Sequence, residues 1–387
     1  MRYAECLADR GDKVEVLALR QDRQSFRTQV SGVTVFHLQR RTRNEKNRLS
    51  YVLKLLLFFL KAMAVVSIRH FRSHYALIHV HNLPDFLVFA TWLPKAAGAK
   101  VILDIHDLLP EFYASKFRGI NGSFSVRMLL RVERASARFA DHVIAANPLW
   151  YDRLVSRSVS PKKSSLFLNY PDASIFSPKA QKRSDGKFII IFPGSLNAHQ
   201  GVDIAIRSFA RIHHLLPNAE FHIYGEGGDK SSLVQLAREI GVEEQVLFME
   251  PLPLREIAAR VADADLGVVP KRADSFGNEA FSTKILEFMC AGIPAIVSST
   301  RIDRYYFKDS VVMFFSSNDD EDLARCILLL AGDEALRSEM VCNGSDFVRT
   351  MTWDRHKSRY CELVDSLVGS PEIGPARMGS EDGLAAQ

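Results

Sequence analysis

Two carboxylates stand eight positions apart in the stretch Asp274 to Ser299, DSFGNEAFSTKILEFMCAGIPAIVSS, and a lysine lies between them. Glu279 and Glu287, when ionised, offer only acceptor oxygens, which suits them to bind the hydroxyls of a sugar or a ribose. Lys284 adds a cation. Ser282 and Thr283 are candidate helix caps, and Ile285, Leu286, Phe288 and Met289 supply the buried side of the helix they open. Gly292 and Pro294 stop that helix, and Ala295 to Val297 start a short apolar strand. The pattern reads as one wall of a ligand site.

A wall of this kind needs sheets to carry it, and a chain of 387 residues suits two domains, each with its own core. From Tyr75 onward strands and helices alternate: strand Ala76 to Val80, helix near Phe86 to Lys95, strand Lys100 to Ile105, helix Val126 to Phe139, strand His142 to Ala145 and strand Leu166 to Asn169. Residues 171–186, rich in Pro, Ser, Lys and Asp, form the linker. The rhythm then restarts with strand Phe188 to Phe192 and runs on through helix Val202 to His214, strand Glu220 to Tyr224, helix Ser231 to Ile240, strand Gln245 to Met249 and strand Leu266 to Val269. Continuously apolar strands indicate parallel sheets covered on both faces. The expected class is α/β with two Rossmann-like domains, 1–170 and 187–350, followed by a helix at 351–368 and a disordered tail at 369–387. The chain opens with a polar helix, a Gly11-Asp12 turn and the strand Val14 to Leu19, so the first strand of the N-terminal domain is expected to be missing.

Ligands in such folds bind beyond the carboxyl ends of strands. In the first half those ends lead into His81, Asn82, Pro84 and Asp85, and into His106, Asp107, Pro110 and Glu111. In the second half they lead into the turn Pro193 to Gly201, the turn Gly225 to Asp229, and Pro270 to Glu279. The PGSLNAHQG turn, with Gly194, Ser195, Gln200 and Gly201, precedes a helix and could cradle a phosphate with its amides; a plain turn is the competing reading. Gly225 and Gly227 add a weaker signal of the same kind. Lys271, Arg272 and Lys284 would supply cations to a diphosphate, or face solvent.

The pairs HVH at 79–81 and DIHD at 104–107 invite a metal, but His79 lies within an apolar strand and no third ligand stands at helical spacing, so no metal is expected. The DAD at 263–265 closes a helix before a buried strand and reads as a decoy. Five scattered cysteines without a CxxC pair suggest neither a disulfide framework nor a zinc site, and fit a reducing cytosol. Met1 is followed by a polar helix rather than an apolar leader, which also fits a cytoplasmic location.

The net charge of +5 conceals an asymmetry: residues 1–186 carry about +15 and the remainder about −10. No zinc finger, basic zipper or RNA-binding signature accompanies the basic half, so nucleic acid is set aside. An anionic membrane is the better partner. The basic run RRTRNEKNR precedes YVLKLLLFFLKAMAVVSI, where Lys54 and Lys61 share a helical face and Arg40, Arg41, Arg43 and Arg48 would reinforce attraction to acidic lipids across residues 40–72. An interfacial helix, a buried helix and a true span remain open for this segment.

DIHDLLPE, LNYPD, PGSLNAHQGVDIAI, IYGEG, ADADLGVVP and above all FSTKILEFMCAGIPAIVSS, taken in this order, resemble the signature of retaining glycosyltransferases of family 4 of the bacterial cell-surface glycan type. The resemblance implies a GT-B fold, two Rossmann-like domains facing across a cleft, with the donor bound mainly by the second and Met351 to Leu367 as the closing helix. It implies that Glu287 binds the ribose, Glu279 the transferred sugar and the Gly194 turn the diphosphate, with Phe281, Ser282 and Thr283 in the same donor set. His106 would approach the sugar, and His81, Asn82, Asp107 and Glu111 would line the acceptor side. No cofactor or metal is implied beyond a nucleoside diphosphate sugar as co-substrate, and the acceptor would be a glycan or a polyprenyl-linked molecule at the inner membrane face. Ser195 and Gln200 depart from the family, which often carries Arg and Lys there; Lys271, Arg272 or Lys284 would have to compensate. A GT-B nucleotide-sugar epimerase and an inactive nucleotide-sugar-binding protein are the alternatives.

Overall fold

The computed structural model describes residues 1–20, 25–40, 48–82, 84–116, 124–180 and 183–369. The N-terminal half runs α1 (Arg2–Asp9), β1 (Glu15–Arg20), β2 (Arg27–Val30), β3 (Val33–Arg40), α2 (Arg48–Ser73), β4 (Leu77–His81), a 3₁₀ turn (Asp85–Thr91), α3 (Trp92–Ala96), β5 (Lys100–Ile105), α4 (Leu109–Lys116), α5 (Phe124–Phe139), β6 (His142–Ala145), α6 (Pro148–Arg157) and β7 (Ser164–Leu166). Strands β4, β5, β6 and β7 form one parallel sheet in that order. A second sheet has the order β1-β3-β2, with β2 antiparallel to β3. Their connection, Ser31-Gly32, has positive φ at both residues, the tight geometry that matches strand twist.

The C-terminal half runs β8 (Phe188–Pro193), α7 (Val202–Ile212), β9 (Ala219–Tyr224), α8 (Lys230–Glu239), β10 (Val246–Met249), α9 (Leu254–Ala262), β11 (Leu266–Val269), α10 (Thr283–Ala291), β12 (Ala295–Ser298), α11 (Arg301–Tyr306), β13 (Met313–Phe315), α12 (Asp320–Gly332), α13 (Glu334–Val348) and α14 (Trp353–Val368). The sheet order is β10-β9-β8-β11-β12-β13, all parallel. Strand β8 shows why: Ile190 and Phe192 join the core under α7 and α12, while Ile189 and Ile191 join the core under α9 and α10. A strand buried on both faces needs helices on both, which parallel crossovers supply. The chain leaves β8 for β9 and β10 on one side, then returns to β11 on the other. That reversal opens a crevice at the carboxyl ends of β8 and β11.

Helix α14 packs back on the first half, where Tyr360 and Val364 are buried against Ile102, Ile144 and Phe167. Cys361 Sγ lies 3.3 Å from Cys6 Sγ of α1, joining elements 355 residues apart. The expected tail beyond Gly369 lies outside the described residues.

Helix α2 divides its surface. Ala62, Val66, Ser67 and His70 are buried, whereas Val52, Leu53, Leu56, Leu57, Leu60, Ile68 and Phe71 are each 45–59% exposed. Spacings of three and four put Leu53, Leu57, Leu60, Ala64, Ile68 and Phe71 along one stripe. Among the described residues no helix is long and apolar enough to cross a membrane. Arg41 and Arg43 of the basic run lie outside the described residues.

Candidate active site

The crevice begins at the end of β8, where the 194–201 and 225–229 turns interlock. Gly194 N donates to Tyr224 O at 2.9 Å, Leu196 N to Glu226 O at 2.9 Å, and Asp229 N to Leu196 O at 3.1 Å. A Cβ on Gly225 would stand 1.8 Å from Gly194 O, and one on Gly227 2.0 Å from Leu196 O. These two glycines therefore permit backbone contact between turns, and the amides of Gly194 and Leu196 are already engaged. Gly201, at φ +65°, caps α7, and a side chain there would meet Pro270 O at 2.0 Å. Ser195 is exposed at the tip of the turn.

The three cations proposed for a diphosphate have different fates. Lys271 is buried: its Nζ donates to Ala280 O at 2.6 Å and pairs with Asp303 Oδ2 at 2.8 Å. Arg272 donates to Ala198 O at 3.0 Å, Asn318 Oδ1 at 3.0 Å and Asp203 Oδ2 at 2.6 Å, bracing the turn from below. Among the described residues Lys284 has one hydrogen-bond partner, the neutral Gln200 Oε1 at 2.9 Å, and its Nζ lies 4.9 Å from the centre of the Phe192 ring. Burial lowers its pKa to about 8, against the pull of Glu287. Because a Cβ on Gly194 would sit 2.9 Å from this Nζ, the ammonium lies directly beneath the turn. An incompletely neutralised ammonium in that place is suited to an anionic ligand.

Helix α10 carries Glu287, whose pKa burial raises while Lys284 and Arg2 oppose the shift. Ser282 caps α10 without a side-chain bond, Thr283 is its first residue, and the Phe281 ring packs edge-on against Tyr306 at 4.9 Å. Gly292, at φ +71°, ends the helix in the left-handed conformation that favours glycine.

Glu279 comes from the loop before α10. Asp274 Oδ1 folds that loop by accepting from Phe276 N at 3.0 Å and Gly277 N at 2.7 Å. Phe276 then inserts into the N-terminal domain, 5.1 Å from Phe112 and 5.7 Å from Trp150 between ring centres. Asn147 donates to the Glu279 carbonyl at 3.1 Å. The Glu279 side chain, 5% exposed, accepts from Arg153 of α6 and from Arg301 at 3.4 Å, both on Oε1. Its Oε2 is buried without a hydrogen-bond partner among the described residues. Glu279 therefore lies where the two domains meet, beside a cavity of about 330 Å³ whose walls include Glu111, Arg153, Arg157, Asp274 and Asn278.

On the opposing side, His106 follows β5. Its N–H donates to Asn82 Oδ1 at 2.9 Å, and Asn82 Nδ2 donates to Asp107 O at 2.7 Å and Asp85 Oδ1 at 2.9 Å. Asn82 is thus a buried brace for the 106–107 turn. His106 Nε2 lies 3.1 Å from Asp104 Oδ2 and 2.8 Å from His81 Nδ1. Burial lowers the pKa of His106, but the Asp104 carboxylate outweighs it and the net shift is upward; the histidines in turn hold Asp104 well below the usual range against its own burial. Burial raises Asp107, with His106 opposing. Glu111 belongs to an ion network: it pairs with Arg153 at 3.3 Å and Arg157 at 2.6 Å, and Arg157 also pairs with Glu133 at 2.6 Å.

Sequence reading passed over Arg153, Asn147 and Phe276, and met Asp104 only within the DIHD motif that it set aside as a metal site. The Asn147-Pro148 pair was a usable signal for the helix that carries Arg153, since Asn caps it by accepting from Trp150 N and Pro occupies its first position. Phe276 gave none, because its partners belong to the other domain.

Residues 1–168 match the family described as glycosyl transferase 4-like domain, and residues 174–347 match glycosyl transferases group 1. The chain is 24% identical to a D-inositol 3-phosphate glycosyltransferase of Thermomonospora curvata, over 94% of this chain and 88% of the relative. Its fold matches that of sucrose-phosphate synthase from Thermosynechococcus elongatus with a TM-score of 0.80 at 18% identity, covering 95% of this chain and 92% of that one. A second structure, Anabaena HepE in complex with UDP and glucose, matches with a TM-score of 0.68 at 16% identity over 94% of each chain. The architecture is GT-B, two Rossmann-like domains. The chain is a glycosyltransferase of the group 1 and family 4-like kind.

Proposed function

We propose that the chain transfers a sugar, with retention and without a metal, from a nucleoside diphosphate sugar to a glycan or polyprenyl-linked acceptor in cell-surface polysaccharide synthesis. The observation that carries this reading is Lys284, a half-buried ammonium with one neutral hydrogen-bond partner among the described residues, under the Gly194 turn at the strand-order reversal. In this reading it binds the diphosphate and stabilises the charge that develops as the sugar departs. Lys271 and Arg272 hold the loop and turn in place rather than meeting the phosphates. Glu287 accepts from the ribose hydroxyls, and the unpartnered Oε2 of Glu279 accepts from the transferred sugar. The acceptor oxygen attacks the anomeric carbon from the face the diphosphate leaves, forming the new glycosidic bond as the old one breaks. The acceptor proton passes to the leaving diphosphate, so no protein base is needed. His106, held by Asn82 and Asp104, faces the sugar from the first domain.

The exposed leucine stripe of α2 beside a basic segment supports placement at the inner, anionic face of the plasma membrane. The bound UDP of the HepE structure makes uridine nucleotides the first donors to try. The test is nucleoside diphosphate release from a panel of nucleotide sugars, with and without lipid-linked and glycan acceptors. Release that depends on acceptor, with the anomeric configuration of the donor kept in the product, is expected. Acceptor-independent epimer formation would overturn the reading, as would an inverted product.

A further inference from the structure

Parallel pairing of β4 with β5 sets His81 against Asp104 and places His79 two residues earlier on the same side of β4. His106 follows one residue past the end of β5. Four side chains thereby converge. Asp104 Oδ2 lies 3.3 Å from His79 Nε2, 3.1 Å from His81 Nδ1 and 3.1 Å from His106 Nε2, and the last two nitrogens are 2.8 Å apart. The ligand atoms of His79, His81 and Asp104 all fall within 4.8 Å of one another.

From this geometry we infer a binding site for a zinc-like divalent cation, with His79, His81, His106 and Asp104 as ligands. Zinc takes imidazole nitrogen and carboxylate oxygen at roughly 2.0–2.2 Å in a tetrahedron, whose edges are then about 3.3 Å. The separations from Asp104 fall at or just below that edge. A hydrogen-bonded support is also present: the far nitrogen of His79, Nδ1, lies 2.8 Å from Tyr360 OH, which turns Nε2 toward the cluster. Tyr3 stacks beside His79 and His81, with ring centres 5.0 and 6.1 Å away, and closes one side. His81 is exposed and gives a path from solvent, while Asp104 lies at the bottom. Three imidazoles and a carboxylate suit zinc, cobalt or nickel better than magnesium or calcium, which prefer oxygen.

The transfer chemistry proposed above does not use this cation. Occupancy would take His106 away from the sugar, so the site is inhibitory, a consequence that rests on the transfer reading; the binding itself does not. Zinc chloride titrated calorimetrically into the EDTA-treated full chain is expected to bind at one equivalent, with a melting temperature that rises with zinc concentration. Cobalt chloride should give the visible absorption of a tetrahedral centre. Histidine 81 is exposed, so H81A should fold and bind zinc at least about tenfold more weakly, and Y360F about tenfold more weakly through loss of the support on His79. Changing the adjacent pair His213 and His214 to alanine should leave zinc binding untouched. Zinc affinity unchanged in H81A and in D104N, or no binding above that of the H81A chain, would overturn the site. Binding as expected with transfer unimpaired would leave the site standing and refute His106's approach to the sugar.

Discussion

Replacing Lys284 by methionine is expected to move stability and nucleotide affinity in opposite directions. Burial brings the lysine from 10.5 to about 8, which corresponds to about 3 kcal/mol of cost in keeping the ammonium charged inside the folded chain. Methionine has no charge to bury, so the variant without ligand is expected to be more stable at pH 7, by up to about 3 kcal/mol. The pH dependence follows. Below about pH 8 the lysine is protonated in both folded and unfolded chains, and the folded chain bears the whole cost. Between about 8 and 10.5 the folded chain sheds the proton first, the unfolded chain binds more protons, and stability rises with pH. Urea denaturation should therefore show a rise in the parent over that window that K284M lacks, so that the two converge above it. Nucleotide binding should respond the other way. Loss of a hydrogen bond to a charged group costs about 1.5–3 kcal/mol, or about 10- to 150-fold in Kd for UDP or whichever diphosphate binds. In the parent, affinity should fall as pH rises through about 8. Calorimetric titration at several pH values measures it. A K284M chain that is less stable than the parent and binds the diphosphate equally well would refute the reasoning, because Lys284 would then be a packing residue.

Glu279→Gln keeps the shape of the loop but loses the charge that pairs with Arg153 and Arg301; transfer is expected to fall about 10- to 150-fold, while nucleoside diphosphate affinity changes little. Equal turnover in E279Q would remove Glu279 from the sugar site. Because burial raises the pKa of Glu287, its folded form loses stability as pH rises from the ordinary carboxylate range through the raised value, so E287Q is expected to be the more stable chain at neutral pH in thermal melts, while binding nucleotide more weakly. Gly225→Ala drives a Cβ to within 1.8 Å of Gly194 O and should cost about 1–3 kcal/mol or more, whereas G228A meets nothing within 4 Å; equal melting temperatures for the two would show that the turns do not interlock as described. Serine at Leu53, Leu57 and Leu60, all exposed, should leave the melting temperature unchanged and abolish sedimentation with vesicles rich in anionic lipid; retained sedimentation would remove α2 from the membrane contact.

The double-sided apolar strands and the glycine-proline stop made the parallel sheets and the unit at 274–299 legible, because periodicity is a local property. β2 was not legible: Arg27–Val30 is short and exposed, and it is a strand through its pairing with β3. The three cations looked equivalent along the chain. Their separation into a buried pair with Asp303, a brace on Asp203 and a sparsely partnered ammonium on Gln200 comes from partners 32, 69 and 84 residues away. The two glycine-bearing turns were read singly, as phosphate cradles or plain turns, and the structure packs them against each other.

The histidines show the same division. Spacing along the chain argued against a metal, because the ligands it could see were too few. What it could not see is register: β4 beside β5 brings three histidines, His79, His81 and His106, onto one carboxylate oxygen of Asp104. Residue order alone made the two parallel sheets, the carboxylates and the lysine legible. Which side chains remain available to a ligand was decided by the fold, since availability depends on every partner that packing brings near, and most of those partners are remote in sequence.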